Sequence, residues 1–325
     1  MMALDVFSAV IEFFRGHLLH SLKEEGAGII EIDIRWVITV PAIWDDPARQ
    51  FMRKAAVRAG ISGNQLLIAQ EPVVASLYCK HFPTEKLLSE AGVQGFGVFS
   101  KGSKYLVLDC GGERVDITVY EVQPDLSLKE LYRASGGALG GNQVDEAFKQ
   151  MLIKMFGAPV IAEFARSHPG DYVDIYREFE NKKRDINDKR VRVIFKIPIS
   201  LREMFEEETG YHVKEKIKDT EFSEKITFVS DKCKITTEVM MSFFEVALDQ
   251  IVDHVTELLK KPEISGTKNI LMVGGFSESP ILQNMIKKSF PDMTVIIPPE
   301  PGLAVLKGAV LFGHKPVTIS SRIAK

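Results

Sequence analysis

The chain has 325 residues, of which 45% are hydrophobic and 26% are charged, and its formal net charge at pH 7 is -3; this composition is typical of a globular protein with one or two domains. It contains no basic tract and no apolar run of about eighteen residues, which argues against a nucleic-acid partner and against a membrane partner. Its three cysteines, Cys79, Cys110 and Cys233, lack CxxC spacing, which argues against a zinc site and predicts a reducing, cytoplasmic location.

The first predicted element is a helix from Ala3 to Leu22. Its apolar residues recur at helical spacing, at Phe7, Val10, Ile11, Phe14 and Leu18. This spacing predicts one apolar face packed against a core. Charged residues within the pattern, such as Asp5 and Glu12, argue against a signal peptide.

Strands and helices then alternate, which predicts an α/β domain. The predicted elements are a strand from Ile34 to Val40, a helix from Asp46 to Ala59, a strand from Gln65 to Ala69 and a helix from Val73 to Lys80. Residues 83–104 are rich in glycine and have few periodic apolar positions. We therefore predict a flexible connection there.

The stretch from Tyr105 to Val122 predicts a strand, a Gly-Gly turn and a return strand. The first strand ends in Asp109, and the turn contains Gly111 and Gly112. Because glycine lacks Cβ, a phosphate can approach the backbone N–H groups of such a turn closely. A carboxylate at the strand end can hold a hydrated Mg²⁺. Taken alone, these residues fit an ordinary glycine hairpin equally well.

The rest of the chain continues the α/β pattern and contains two more glycine pairs, Gly140-Gly141 and Gly274-Gly275. A charge-rich segment from Leu201 to Lys234 is predicted to be a solvated lobe and not a binding surface. The other predicted elements are strands at 128–134, 191–198, 270–273 and 294–297, and helices at 144–156, 160–166, 172–187, 236–260, 280–290 and 303–312.

Seven segments occur in an order and spacing that resemble the ATPase domain of the heat shock protein 70 kDa family: VITVPAIWDDPARQFMRKAAVRAGI, EPVVAS, DCGGERVD, LGG, ENKKRDIN, MVGG and LKGAVLFG. The residues around Trp36, Phe276 and Leu311-Phe312 look most like the divergent 12A/12B branch of that family. The resemblance covers nearly the whole chain.

This resemblance implies an α/β, actin-like ATPase fold of the ribonuclease H-like kind, with two lobes around a nucleotide cleft. Residues 1–104 would form part of the first lobe and the flexible connection, and residues 105–325 would form the second lobe. Within the second lobe we expect a charged sub-lobe at about 145–235 and a closing helix at about 303–312.

The resemblance also implies a site for ATP or ADP with Mg²⁺. Glu71, Asp109 and Asp116 match the catalytic acids, and Asp109 would hold the metal through water. Glu71 would also help to place the attacking water. Alone, Glu71 could equally be a helix cap.

The nucleotide-binding residues implied by the resemblance come from four parts of the chain. Glu180, Lys183 and Arg184 would clamp the adenosine, with Arg184 stacked on the base, although alone they fit a solvent-facing charge cluster. The glycines expected at the phosphates and at the opposite wall are Gly111, Gly112, Gly140, Gly141, Gly274 and Gly275.

Several features depart from the family pattern. The family's first phosphate loop, its hydrolytic lysine and its β-rich peptide-binding domain do not occur in this sequence. Glu113 and Arg114 replace Gly-Thr in the loop after Asp109, Phe276 and Glu278 replace polar and basic residues, and Gly302 stands where an acidic residue is usual. A carboxylate at position 113 would repel a terminal phosphate.

We therefore expect a divergent chaperone-type protein that binds adenine nucleotide and hydrolyses it weakly or not at all. Its further partners would be unidentified proteins, either clients or co-chaperones. The alternative is a nucleotide-independent pseudo-ATPase that serves as a scaffold for protein–protein interaction. A sugar kinase of the same fold would need a sugar-binding acid in the first lobe, and no such pattern is present.

Overall fold

The computed structural model describes residues 2–80, 99–133, 136–186, 192–229, 231–316 and 319–321. These residues form sheets of two, six and three strands with helices packed on them. None of the helices in these ranges is both long and apolar enough to cross a membrane. The connection expected at 83–104 falls mostly on residues 81–98, which lie outside the described residues.

The helices alternate with the strands along much of the chain. The α-helices are α1 (Ala3–Glu24), α2 (Asp46–Arg58), α3 (Glu71–Lys80), α4 (Asn142–Phe156), α5 (Ala158–Ser167), α6 (Pro169–Asp185), α7 (Ile199–Thr209), α8 (Val213–Ile217), α9 (Thr237–Leu259), α10 (Pro280–Ser289) and α11 (Ala304–His314). The β-strands are β1 (Trp36–Val40), β2 (Leu66–Gln70), β3 (Lys104–Cys110), β4 (Val115–Val122), β5 (Leu128–Arg133), β6 (Arg192–Lys196), β7 (Ile226–Val229), β8 (Lys232–Thr236), β9 (Asn269–Val273), β10 (Thr294–Ile296) and β11 (Ile319–Ser321).

The two-stranded sheet consists of β1 and β2 in parallel, with Trp36 paired to Leu66. Trp36 and Ile38 pack with Ile11 of α1 on one face. Val37 packs with Phe312 of α11 on the other face. Helices therefore cover both faces, as is usual for parallel strands.

The prediction that the apolar face of α1 packs in a core is wrong for most of that face. The exposed fractions are 40% for Phe7, 50% for Val10, 63% for Phe14 and 40% for Leu18. A helix of this length extends over roughly 33 Å, whereas two paired strands are only about 10 Å wide. The sheet is therefore too narrow to cover the face that the helical periodicity creates.

The six-stranded sheet has the order β10-β9-β3-β4-β5-β11 and contains the predicted strand–turn–strand unit. In this sheet β3 is antiparallel to β4 and parallel to β9. Leu106 and Leu108 pack on one side of β3 with the core of α4 and α9, and Tyr105 and Val107 pack on the other side with α3. Because β3 is buried on both faces, its sequence is a continuous run of apolar residues and does not alternate with polar ones.

The charge-rich segment after Leu201 folds as α7, α8 and the hairpin β7–β8, which joins β6 in the three-stranded sheet. Most of its apolar residues, among them Phe205 and Ile217, are buried, whereas most of its charged residues, among them Glu207 and Lys216, are exposed. Its charged side chains are thus solvated, as predicted.

Helix α11 returns to the start of the chain and packs on α3 and β1. A Cβ atom at Gly308 would lie 1.8 Å from the carbonyl oxygen of Val74 in α3, so only glycine permits this contact. Nη1 of Arg35, just before β1, donates to the carbonyl oxygen of Gly313 at 2.9 Å. The extents of the two lobes and of the sub-lobe stay a prediction.

Candidate functional site

Three carboxylates meet where the end of β3 approaches the start of α3. Asp109 is the penultimate residue of β3 and lies opposite Asp116 in the antiparallel pairing with β4. Glu71 is the first residue of α3, directly after β2. It lies close enough to both aspartates for their charges to raise its pKa. Two different sheets therefore bring the three expected catalytic acids together.

Burial and mutual repulsion keep these carboxyl groups protonated to a higher pH than usual. Burial is the main cause that raises the pKa of Glu71 to about 7, and the charges of Asp109 and Asp116 add to it. Burial, followed by the charge of Asp116, raises the pKa of Asp109 to about 7. Burial also raises the pKa of Asp116, against the opposing effect of Arg114. The cluster therefore carries negative charge that its surroundings only partly stabilise.

The carboxylate cluster fits a hydrated cation better than a directly coordinated one. In the described ranges, no three His, Cys, Asp or Glu side chains are arranged to hold a metal ion directly. Oδ1 of Asp116 is buried without a hydrogen-bond partner among the described residues, and Nη2 of Arg114 lies 3.6 Å from it. Mg²⁺ usually keeps several of its waters when it binds to carboxylates. Glu71, Asp109 and Asp116 could thus hold Mg²⁺ through water.

Two of the predicted glycine turns cross beside this cluster. The N–H of Gly141 donates to the carbonyl oxygen of Gly111 at 3.1 Å, and the N–H of Asn142 donates to that of Gly112 at 2.7 Å. A Cβ atom at Gly140 would lie 2.3 Å from the carbonyl oxygen of Gly112. The close approach of the two turns therefore requires glycine at position 140.

Some backbone N–H groups of these turns already donate hydrogen bonds within the protein. The N–H of Gly111 donates to the carbonyl oxygen of Arg114 at 2.8 Å, which closes the hairpin between β3 and β4. The N–H of Gly141 is engaged by the crossing turn. A phosphate that approaches these two groups competes with bonds that hold the turns together.

Lys183 of α6 is buried and joins α6 to α4. Its Nζ lies 2.7 Å from Oδ1 of Asp145 and 2.5 Å from Oε2 of Glu180, and it donates to the carbonyl oxygen of Gly141 at 3.4 Å. A buried ammonium requires such partners because charge is costly to desolvate. Lys183 therefore fixes the second glycine turn against α6.

Arg184, the next residue of α6, is half-exposed and reaches the opposite wall of the site. Its Nε donates to Oε1 of Glu180 at 2.8 Å, and its Nη1 donates to Oε2 of Glu278 at 2.9 Å. Glu278 lies in the short turn Gly275–Glu278 that follows β9. The Arg184 side chain therefore bridges α6 and this turn.

Gly274 lies between the carboxylate cluster and that opposite wall. Its φ is +88°, a conformation that favours glycine. A Cβ atom there would lie 2.4 Å from the carbonyl oxygen of Cys110 and 2.6 Å from Oδ1 of Asp109. The end of β9 can therefore approach the end of β3 only because residue 274 is glycine.

A cavity of about 100 Å³ lies between α6, the glycine turns and the turn after β9. Phe276 contributes an apolar wall, and its ring stacks on that of Phe244 with centroids 6.3 Å apart. The cavity is lined by Gly112, Gly141, Glu180, Lys183, Arg184, Gly275, Phe276 and Ser279. It thus combines a charged side, an apolar side and three glycines.

The structure brings most of the predicted site residues to this one region. The carboxylates of Glu71, Asp109 and Asp116 do not line the cavity, and Gly274 separates it from them. Asp145 and Ser279 were missed by sequence reasoning. Asp145 has no sequence signal, because its pairing with Lys183 spans 38 positions and only the fold creates it.

The chain resembles proteins of one family throughout its length. The Hsp70 protein family model matches residues 12–315. Heat shock 70 kDa protein 12B of Homo sapiens is 35% identical over 371 residues, which cover 99% of this chain and 54% of that protein. Heat shock 70 kDa protein 12A of Homo sapiens is 33% identical over 367 residues, which cover 98% and 54%.

A more distant relative is the chaperone protein dnaK of Cyanidium caldarium, which is 26% identical over 287 residues that cover 86% of this chain and 39% of that protein. The chain spans about half the length of the curated relatives 12A and 12B that it matches.

Proposed function

The chain belongs to the Hsp70 protein family, in the divergent part that contains the 12A and 12B proteins, and has that family's actin-like ATPase fold; from this premise we propose that it binds ATP or ADP with Mg²⁺ and hydrolyses ATP weakly or not at all. The observation that carries the proposal is the junction at Gly274. There a buried carboxylate cluster, suited to a hydrated cation, adjoins a cavity lined by glycine turns and by Arg184.

In this proposal the cavity receives the adenosine. The guanidinium of Arg184 would face the base, since planar cations stack favourably on aromatic rings. Gly275 would form the opposite wall, where a Cβ atom would meet nothing within 4 Å. Gly112 and Gly141, which also line the cavity, would lie on the phosphate side.

The carboxylates of Glu71, Asp109 and Asp116 would hold Mg²⁺ through water, next to the phosphates. Bound Mg²⁺ would supply positive charge that neutralises the transferring phosphoryl group. The carboxylate of Glu71 would orient the attacking water. Because the pKa of Glu71 is raised to about 7, a sizeable part of these groups is protonated at neutral pH and cannot accept a proton.

Two features support weak or absent hydrolysis. Glu113 follows Gly112 directly in the hairpin turn, so its carboxylate would add negative charge near the phosphates. The N–H groups of Gly111 and Gly141 are engaged in internal hydrogen bonds. Preorganised donors supply much of the stabilisation of such transition states, so their engagement lowers the expected rate.

A chaperone role in the stress response, with client proteins or co-chaperones as partners, is part of the proposal and is supported by the family. The same holds for a cytoplasmic location. Cys79, Cys110 and Cys233 are free and buried, as suits a reducing compartment.

The internal hydrogen bonds of the glycine turns also favour a second function. If they persist in solution, the protein would be a nucleotide-independent pseudo-ATPase that uses the fold as a scaffold for protein–protein interaction. The two functions differ in whether nucleotide binds at all.

Calorimetric titration of Mg-ADP and Mg-ATP into the chain distinguishes these functions. We expect binding that Arg184→Ala weakens. Arg177→Ala is the matched control, because Arg177 lies on the same helix, pairs with Asp174 at 3.0 Å and does not line the cavity. A cooperative unfolding transition would show that the protein is folded. If such protein does not bind nucleotide at millimolar concentration, nucleotide binding is contradicted and the scaffold function is favoured.

Hydrolysis needs a separate measurement. We expect phosphate release by the wild-type chain to equal that of the double variant Glu71→Ala, Asp109→Ala. Phosphate release clearly faster than that of the double variant would show that the carboxylate cluster is catalytically active. It would contradict the proposal that hydrolysis is weak or absent.

A further inference from the structure

The guanidinium of Arg184 is held at two of its edges by carboxylates from different parts of the fold. Glu180, one helical turn earlier in α6, accepts from Nε at 2.8 Å. Glu278, in the turn after β9, accepts from Nη1 at 2.9 Å. Both bonds lie at the edge of the guanidinium plane because its N–H groups do, so the two flat faces take no part in them.

Glu180 also pairs with Lys183, whose other carboxylate partner is Asp145. The two cations Lys183 and Arg184 are therefore matched by three carboxylates, and this group of side chains keeps a net negative charge. Such a group attracts a phosphate poorly, since the positive charge is already neutralised and one negative charge remains. It can still stack on a neutral aromatic ring. The arrangement therefore suits the base of a nucleotide and not its phosphates.

Gly302 provides the room for the Glu278 carboxylate. A Cβ atom at Gly302 would lie 2.6 Å from Oε1 of Glu278, which is closer than such atoms approach. The next nearest atom, Cα of Gly275, would be 3.4 Å away, and the backbone at Gly302 does not have a positive φ. Residue 302 therefore affects the site through Glu278.

We propose that Glu278 is a positioning residue of the nucleotide site: it orients the guanidinium of Arg184 so that one flat face is presented to the base, and glycine at position 302 makes this placement possible. This rests on the proposed nucleotide binding. It also links the two departures from the family pattern at positions 278 and 302. The family pattern has a carboxylate at position 302. Here Glu278 supplies a carboxylate instead, and that carboxylate fills the space beside Gly302.

Adenosine is the probe that isolates this effect, because it has the base and ribose without the phosphates. We expect Glu278→Ala to weaken adenosine binding about threefold to tenfold, the range expected for losing an exposed ion pair and part of a cation–π contact. Glu278→Gln keeps a hydrogen-bond acceptor and should restore part of the affinity. Binding of magnesium tripolyphosphate, which has no base, should not weaken.

A double-mutant cycle tests whether Glu278 acts through Arg184. If it does, the variant with both Arg184→Ala and Glu278→Ala binds adenosine no more weakly than Arg184→Ala alone. Additive losses would show that Glu278 acts independently and would overturn the proposal.

Gly302→Ala displaces the Glu278 carboxylate without changing any charge. We expect it to lower adenosine affinity about as much as Glu278→Ala does, and to have no further effect in the Glu278→Ala background. Asp174→Ala is the control for removing an exposed carboxylate from an Arg pair on α6 away from the cavity.

The outcomes separate this inference from the proposed function. Wild-type binding of Mg-ADP together with unchanged adenosine affinity in Glu278→Ala would overturn the positioning role and leave nucleotide binding intact. Failure of the wild-type chain to bind either ligand would overturn both.

Discussion

The buried carboxyl group of Asp109 makes the stability of the protein depend on pH. Its pKa is about 7 in the folded chain, mainly because of burial and then because of the charge on Asp116, against roughly 3.9 in an unfolded chain. The folded state thus binds the proton more tightly. Stability associated with this group is fully present below about pH 4 and is lost as the pH rises through about 7.

Asp109→Asn should therefore stabilise the protein more at pH 8 than at pH 5, by on the order of 2 kcal/mol in the free energy of unfolding. Urea unfolding at the two pH values, without Mg²⁺ or nucleotide, measures the difference. Asp125→Asn is the control. A hydrogen bond from Ser127 lowers the pKa of Asp125, so the substitution should give no such gain at high pH. An equal change in the free energy of unfolding by Asp109→Asn at both pH values would contradict the raised pKa of Asp109 as the cause.

Two helical glycines should respond oppositely to replacement by alanine. At Gly308 of α11 a Cβ atom would collide with the backbone of Val74, so Gly308→Ala should destabilise the chain by about 1–3 kcal/mol. At Gly16 of α1 a Cβ atom would meet nothing within 4 Å. Gly16→Ala should then stabilise the helix by up to about 1 kcal/mol. Thermal unfolding of both variants shows whether each substitution raises or lowers stability. Unchanged stability of Gly308→Ala would mean that α11 can move away from α3 at little cost in free energy.

At the scale of elements, the apolar face of α1 is mostly exposed, whereas the apolar face of α4 is buried. Phe14→Gln should change the free energy of unfolding by less than about 0.5 kcal/mol, since the side chain gains little from burial. Phe148→Ala in the fully buried face of α4 should cost about 3–5 kcal/mol. Chemical denaturation of the two variants provides the comparison, and a large loss in Phe14→Gln would show that the face is covered in solution.

The helix α1 also shows what a sequence pattern leaves undetermined. Periodicity at Phe7, Val10 and Phe14 predicted the helix correctly, because spacing is a local property. Whether anything covers that face depends on the width of the neighbouring sheet, which the spacing does not contain. The unit from β3 to β4 was predicted well because a buried strand, an acid and a glycine pair are adjacent in the chain.

The candidate site also contains features that the sequence predicts and features that only the fold creates. The glycine pairs and the α6 charges could be recognised from order and spacing. The pairing of Lys183 with Asp145, and the space that Gly302 leaves for Glu278, depend on residues far apart in the chain. The helices α7 and α8 and the hairpin β7–β8 of the charge-rich segment were not predicted, because its buried residues, such as Phe205 and Ile217, are widely separated among charges.

At the scale of the whole molecule, the site is assembled from segments that are distant in sequence. Glu71 comes from the strand–helix unit before the connection, Asp109 from the central sheet, Arg184 from α6 and Glu278 from the turn after β9. Each wall is held by a close backbone approach at Gly140 or Gly274. Loss of packing in any one segment should therefore affect the others.

The packing of α11 on α3 and β1 has a consequence for synthesis on the ribosome. The surfaces of β1 and α3 that α11 covers are translated by Lys80, whereas α11 begins only at Ala304. At roughly 5–20 residues per second, a nascent chain waits about 10–45 s between the two. During that interval apolar side chains such as Val37 lack the helix that they pack against. The first part of the chain is thus a candidate for capture by ribosome-associated factors, and its folding cannot finish until α11 has left the exit tunnel.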